Sequence, residues 1–319
     1  MANLTISTTY AGELALPYIA PAILAADSIA NGYVTLKEGV KKNAVLKIMD
    51  GASIQAFACD FVSQTGLTLT ERLLTPTDLK VNLEVCKAQF REDWEALQTG
   101  AGFINDRIPP NFQTFLLQYL SAIVSKGIEQ NLWQGDWDRD GAGAGIPLVT
   151  DFKGLLEHYK VAVATTAARG ATSAGKYTGD ADPTTGIITN IGAMVSASPV
   201  DIQGNPDTVI YMSRQALFLL QVAMSSLTGT SQWSGEARPT TYNGYPIITP
   251  AGFPADCLLM TTVANNYFGT DLVSDFNQAV VVDMTQTDGS DNVRMAMRFT
   301  GGTQIADATN GFQLTYGTY

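Results

Sequence analysis

Lysine disappears from this sequence after Lys176. Residues 177–319 hold twelve Asp and Glu against only Arg214, Arg238, Arg294 and Arg298, a net of −8 within a whole-chain net of −11. Such a surface repels nucleic acid, whose binding depends on Lys and Arg neutralising phosphates. Direct gripping of nucleic acid is therefore disfavoured; enclosing it is not. Charge of either sign is scarce, at 15% of 319 residues, against about 25% in ordinary globular proteins. Thr, Ser, Asn, Gln and Gly must supply the polar surface. That suits a protein whose neighbours cover much of it, because buried charge is costly to desolvate. A secreted or surface β-rich binding protein would share this composition and is the alternative.

Catalytic signatures are also missing. His158 is the only histidine, so no histidine pair exists for a metal, and beside Glu157 it reads as structural. No Gly-x-Ser-x-Gly elbow is present. The run Gly141 to Gly145 lacks the preceding strand and following lysine of a phosphate loop. No enzymatic mechanism and no cofactor are expected. Cys59, Cys86 and Cys257 are odd in number and at neither metal nor redox spacing, which reads as three reduced thiols. A Cys59–Cys86 cross-strand bridge is the minor alternative. The apolar run Leu14 to Ala26 is broken by Pro17 and Pro21, with no Lys or Arg before Lys37, so it lacks the basic region of a signal peptide. No segment reads as a transmembrane helix. These absences favour assembly inside a cell. One ligand motif is partial: Asp136, Asp138 and Asp140 match the first half of a calcium loop, but position twelve is Pro147 and Arg139 opposes the charge.

With 45% hydrophobic residues, the chain can bury a sizeable core in one large domain or two smaller ones. Residues 43–135 read as a long two-stranded ribbon followed by a long helix. The ribbon starts near Ala44, turns near Ser63 to Gly66 and returns to Val85. Its arms of about 18 residues would reach roughly 60 Å. An isolated ribbon is only marginally stable, so another copy of the chain is expected to cover it. Leu79, Val81, Leu83 and Val85 alternate with polar residues, the period of a half-buried strand, and Pro76 marks an edge or bulge. Lys37, Lys41, Lys42 and Lys47 are the only basic cluster, read as a solvated turn or a docking patch.

Pro109-Pro110 opens a helix whose Phe112, Phe115, Leu116, Tyr119, Ile123 and Ile128 share one side, ended by Gly135. Further elements are a helix over 152–165, an extended loop or hairpin over 169–206, and a strand over 208–212. Ser213 then caps a helix over 214–227. Strands follow over 245–249 and 258–263, then a hairpin over 279–284 and 293–299, and a last strand over 312–316. Residues 1–32 read as an arm, with a short helix between Ile19 and Ile29.

This order resembles the major capsid protein of tailed bacteriophages, the Johnson fold shared with encapsulins. The matching stretches are Thr75 to Glu84, Ile128 to Asp136, Asp207 to Ser213 and Gly244 to Ile248. The resemblance implies an α+β fold with an N-terminal arm at 1–35 and an extended β-hairpin loop at 36–79. It further implies a peripheral domain with a long spine helix at 80–149 and 261–306, and an α/β axial domain at 150–260 with 307–319. It implies hexamers and pentamers closing an icosahedral shell around double-stranded DNA without strong direct binding. The virion would be assembled in the host bacterial cytoplasm, with separate scaffolding, portal or decoration proteins as partners and no membrane. An encapsulin-like compartment is the competing reading. Glu71 and Arg72, placed in the ribbon's outer third, and Lys41 and Lys42 are the expected inter-subunit contacts. Some relatives cross-link through a lysine of the extended loop; residues 48–79 contain none, so a non-covalent shell is expected.

Overall fold

The structure is a computed structural model. It describes residues 7–11, 26–50, 59, 68–86, 110–136, 152–165, 170–173, 183–228, 241–255, 257–271, 278–286, 289–290 and 292–317.

The architecture is α+β, with two six-stranded sheets and a separate two-stranded hairpin. The first sheet is built on β13 (Asn292–Ile305). Antiparallel to it run β12 (Gln278–Asp283), β11 (Asn266–Gly269) and β5 (Thr77–Cys86). β1 (Ser7–Ala11) joins β12, and β2 (Thr35–Lys37) joins β11 in parallel. The β5 alternation explains its place. Leu79, Val81, Leu83 and Val85 stand opposite Phe299, Met297, Met295 and Val293. The four β13 side chains are fully covered while Arg294 and Arg298 are exposed, as the spacing predicted.

This pairing corrects the expected ribbon. Among the described residues, β3 (Ala44–Asp50) and β4 (Thr68–Leu74) pair as a hairpin over seven residues of each arm, or about 24 Å. At Thr75-Pro76 the returning chain leaves the hairpin for β13. Proline has no N–H for the ladder, and the apolar face of β5 finds its match in β13 rather than in the outgoing arm. Asp50 opposite Thr68 centres the intervening residues on Cys59. The expected turn at Ser63 to Gly66 lies outside the described residues. All three cysteines are free, Cys59 exposed and Cys257 buried, so the Cys59–Cys86 bridge is not formed.

The second sheet runs β6 (Gly170–Ser173), β14 (Phe312–Gly317), β10 (Cys257–Thr262), β7 (Thr208–Met212), β9 (Tyr245–Ile248) and β8 (Thr241–Tyr242). Every residue of β7 is buried, and five of six in β10, because both faces are covered. Ile210, Met212, Leu258 and Met260 cluster with residues of three helices, one of them Arg214–Thr228; Val209, Tyr211, Leu259 and Leu314 join the main core. The Ser213 hydroxyl accepts the Ala216 N–H at 3.0 Å, the expected N-cap.

Six helices are described: α1 (Asp27–Ala30), α2 (Pro110–Gln134), α3 (Leu155–Thr165), α4 (Pro183–Ala197), α5 (Val200–Gln203) and α6 (Arg214–Thr228). The bounds of α2 are those the sequence suggested. Its buried stripe runs through Val124, Ile128 and Leu132, whereas Ile123 is 40% exposed and lies off the expected face. The larger error is 169–206, which is not an extended loop: it holds β6, α4 and α5. Ile187, Ile191 and Met194 are fully buried at helical spacing, and their burial fixes α4 despite its Gly, Ser and Thr content. Gly135 follows α2 as expected. A Cβ there would lie 2.1 Å from the Phe152 carbonyl oxygen, so only glycine lets the end of α2 cross the start of α3.

Candidate functional site

The hairpin β3–β4 presents two unlike faces, as period-two alternation dictates. Ala44, Leu46 and Ile48 share one face with Leu74, Arg72 and Thr70. Leu46 and Leu74 on this face are buried with Val40 and packed by Tyr267. Gln304 Nε2 donates to the Leu73 carbonyl at 2.8 Å and ties the hairpin to β13. The opposite face carries Val45, Lys47, Leu69, Glu71 and Leu73. Val45, Leu69 and Leu73 are 43%, 53% and 53% exposed, on a hairpin with no third strand among the described residues. A Lys47–Glu71 pair at 2.9 Å crosses this apolar face, both side chains about half exposed. Scattered exposed leucines need no explanation, but apolar residues grouped on one face mark a contact surface.

The four residues expected at inter-subunit contacts come together only in part. Lys41 and Lys42 are exposed in the bend before β3. Glu71 is committed to Lys47 within the same chain. Arg72 points toward the body and is half-buried. Both sit in the middle of the paired stretch, two or three residues from buried Leu74, not in its outer third. Of the calcium candidates, Asp136 is described, with φ 55°, just beyond α2. Asp138 and Asp140 lie outside the described residues, and no group of metal-ligating side chains occurs among those described.

Sequence reasoning missed two features around the hairpin. The first is a set of contacts made by Thr303 and Gln304. The Thr303 hydroxyl donates to the Lys153 carbonyl, the His158 side chain bonds the Thr303 backbone, and Gln304 holds Leu73 beside Arg72. Burial, reinforced by Arg72 and Lys153, lowers the His158 pKa from 6.5 to about 4. Burial also pulls the Arg72 guanidinium below its ordinary range, partly offset by Tyr159 and Asp307. Among the described residues no ion pair or hydrogen bond reaches that guanidinium.

The second is an anchor for the N-terminal segment. Glu129 of α2 is 4% exposed. Its carboxylate accepts the Ser28 N–H at 2.9 Å, the Ser28 hydroxyl at 2.6 Å and the Gly252 N–H at 3.4 Å. Trp133 Nε1 donates to the Ser28 hydroxyl oxygen at 2.7 Å, and its ring packs against Tyr211 and Phe253 at 5.1 Å. A buried carboxylate needs such donors. Glu129 thus joins α1, α2 and the turn before β10. Serine and glutamate 101 residues apart carry no local signal that could have revealed it.

Neither any family model nor any curated protein matches the sequence. Solved structures do match by shape. The chain aligns with one from the satellite phage P4 procapsid including size determination (Sid) protein, at TM-score 0.58 and 14% identity, over 95% of this chain and 99% of that one. The capsid of the native GTA particle aligns at TM-score 0.57 and 13% identity, over 94% and 91%. The bacteriophage PhiM1 mature capsid aligns at 0.51 and 13%, over 90% and 86%. This chain has the phage capsid fold. These alignments cover 90–95% of this chain.

Proposed function

We propose that this chain is a major capsid protein whose copies form hexamers and pentamers and close an icosahedral shell around a phage genome. The observation that carries the reading is the hairpin. One face is pinned by Leu46 and Leu74, and the other holds Val45, Leu69 and Leu73 out to solvent, with its charges already paired. An apolar face of this kind is stabilised when a neighbouring copy covers it, and obligate assemblies bury several thousand Å² in this way. The phage and GTA capsids among the structural neighbours support a genome-enclosing shell over a nanocompartment or a secreted binding protein.

On this reading residues 1–35 are the arm, 36–79 the extended loop, 80–149 and 261–306 the peripheral domain, and 150–260 with 307–319 the axial domain. Lys41 and Lys42 lie before the paired stretch of the loop, and Glu71 and Arg72 in its middle, where polar contacts to neighbours belong. The role is structural rather than enzymatic, and the protein resides in the virion after assembly in the host cytoplasm. The acidic C-terminal half keeps the inner wall from sticking to packaged DNA. Portal, scaffolding and decoration proteins are the partners such a shell takes. Sedimentation velocity of the purified full chain tests the reading. The expected result is concentration-dependent growth from 34.1 kDa to capsomers and particles; a monomer at every concentration contradicts it.

A further inference from the structure

The base of the hairpin rests on a patch of the first sheet that has no room for side chains. Gly269 of β11 and Gly302 of β13 are register partners, so a side chain at either would stand on the same face. A Cβ on Gly302 would lie 2.8 Å from the Thr75 carbonyl oxygen and 2.9 Å from Pro76 Cα. One on Gly269 would lie 2.7 Å from Leu74 Cδ2. Neither glycine has a positive φ, so space and not conformation demands glycine here. Two residues further along each strand, Tyr267 and Gln304 are partners on the same face. Tyr267 packs against Val40, Leu46 and Leu74, and Gln304 Nε2 holds the Leu73 carbonyl at 2.8 Å. Just past the crossover, the Thr77 hydroxyl donates to the Gly301 carbonyl at 3.1 Å. The sheet thus grips Leu73 to Thr77, where the chain passes from the hairpin into β5.

We infer that Gly269 and Gly302 are positioning residues for assembly: they seat the hairpin directly on β11 and β13 and so fix the direction in which Val45, Leu69 and Leu73 meet a second copy of this chain. The two sides of this seat are unequally held. Phe268, Phe299 and Ile305 root β11 and β13 in the main core, whereas the hairpin is held by the small cluster of Val40, Leu46 and Leu74. A methyl group added at Gly302 meets main-chain atoms that cannot rotate away, so the weaker side yields and the hairpin moves. The arm carries that shift to its exposed face, where close packing against a neighbour tolerates little misfit. This inference rests on the shell reading above.

The test uses the full chain with Gly269→Ala and Gly302→Ala, each alone and combined with Leu74→Ala. Sedimentation velocity reads the assembly threshold, and a thermal melt reads the unassembled chain. Gly302→Ala should raise the threshold about tenfold, with its melting temperature within about 4 °C of the parent. Leu74→Ala removes the side chain that obstructs Gly269 but leaves the main chain that obstructs Gly302. In the Leu74→Ala background, Gly269→Ala should therefore add no further loss, whereas Gly302→Ala should add its whole penalty. A general loss of stability would move both alike. Gln304→Ala removes the tie to Leu73 without adding an atom, and should raise the threshold about three- to tenfold. A parent-like threshold in Gly302→Ala overturns the inference, as does one in Gln304→Ala should Gly302→Ala fail to fold. Equal losses from Gly269→Ala with and without Leu74→Ala overturn it too. A parent chain that never assembles sinks the shell reading itself, whereas variants that assemble at the parent threshold sink only the positioning role.

Discussion

Removing the outward apolar face of the hairpin should cripple assembly while leaving the fold standing. Leu69 and Leu73 are each 53% exposed. Full burial of a leucine side chain contributes roughly 1.5–3 kcal/mol, so covering the exposed half of each adds about 0.8–1.5 kcal/mol. Leu69→Ala/Leu73→Ala should then weaken each inter-subunit contact by about 1.5–3 kcal/mol, a factor of roughly 10 to 150 in association. In the lone chain the same truncations touch only the hairpin, because the main core lies in other elements. Lys47→Ala is the internal control. It breaks a half-exposed ion pair on the same face, worth about 0–1 kcal/mol. Sedimentation velocity over a concentration series reads the assembly threshold, and a thermal melt of the unassembled chain reads the fold. An unchanged threshold in the double variant, or a larger shift from Lys47→Ala than from the leucines, refutes the reasoning.

Glu129→Gln should destabilise the chain by about 2–4 kcal/mol, because a carboxylate accepting three hydrogen bonds is replaced by an amide that turns donors toward donors; urea unfolding that matches the parent would remove the anchor. His158 makes stability depend on pH. Its folded pKa of about 4 lies below the ordinary 6.5, so its contribution is complete above pH 6.5 and lost as pH falls through about 4. At about 1.4 kcal/mol per pH unit, the parent should lose up to roughly 3 kcal/mol more than His158→Gln over that window, measured by denaturant titration at each pH. Boiling mature particles in detergent should release 34 kDa monomers, since residues 48–79 contain no lysine; a ladder of larger species would show covalent cross-links.

Local signals located most elements, and non-local ones decided their partners. The proline pair and Gly135 gave α2 its bounds, Ser213 gave α6 its start, and the β5 and β13 alternations identified two strands with one wet face. Nothing local said that β5 would pair with β13, more than 200 residues away, instead of continuing the hairpin. Its period-two pattern fits either partner, and side-chain matching in the folded chain chose. α4 was hidden by composition: its Gly, Ser and Thr favour turns in isolation, while burial of Ile187, Ile191 and Met194 overrides that preference. The outward hairpin face was legible in kind, since a ribbon without cover was anticipated, but its base lies at Leu74 rather than Val85, because beyond Pro76 the chain pairs with β13. The contacts of Thr303 and Gln304 were invisible, because they join residues 150 and 231 positions apart.

Electron microscopy of the purified, full-length chain in negative stain tests the central claim most directly. The account predicts closed particles of uniform diameter with hexamer and pentamer units. Dispersed 34.1 kDa molecules at high concentration, with Val45, Leu69 and Leu73 shielded by their own chain, would contradict it.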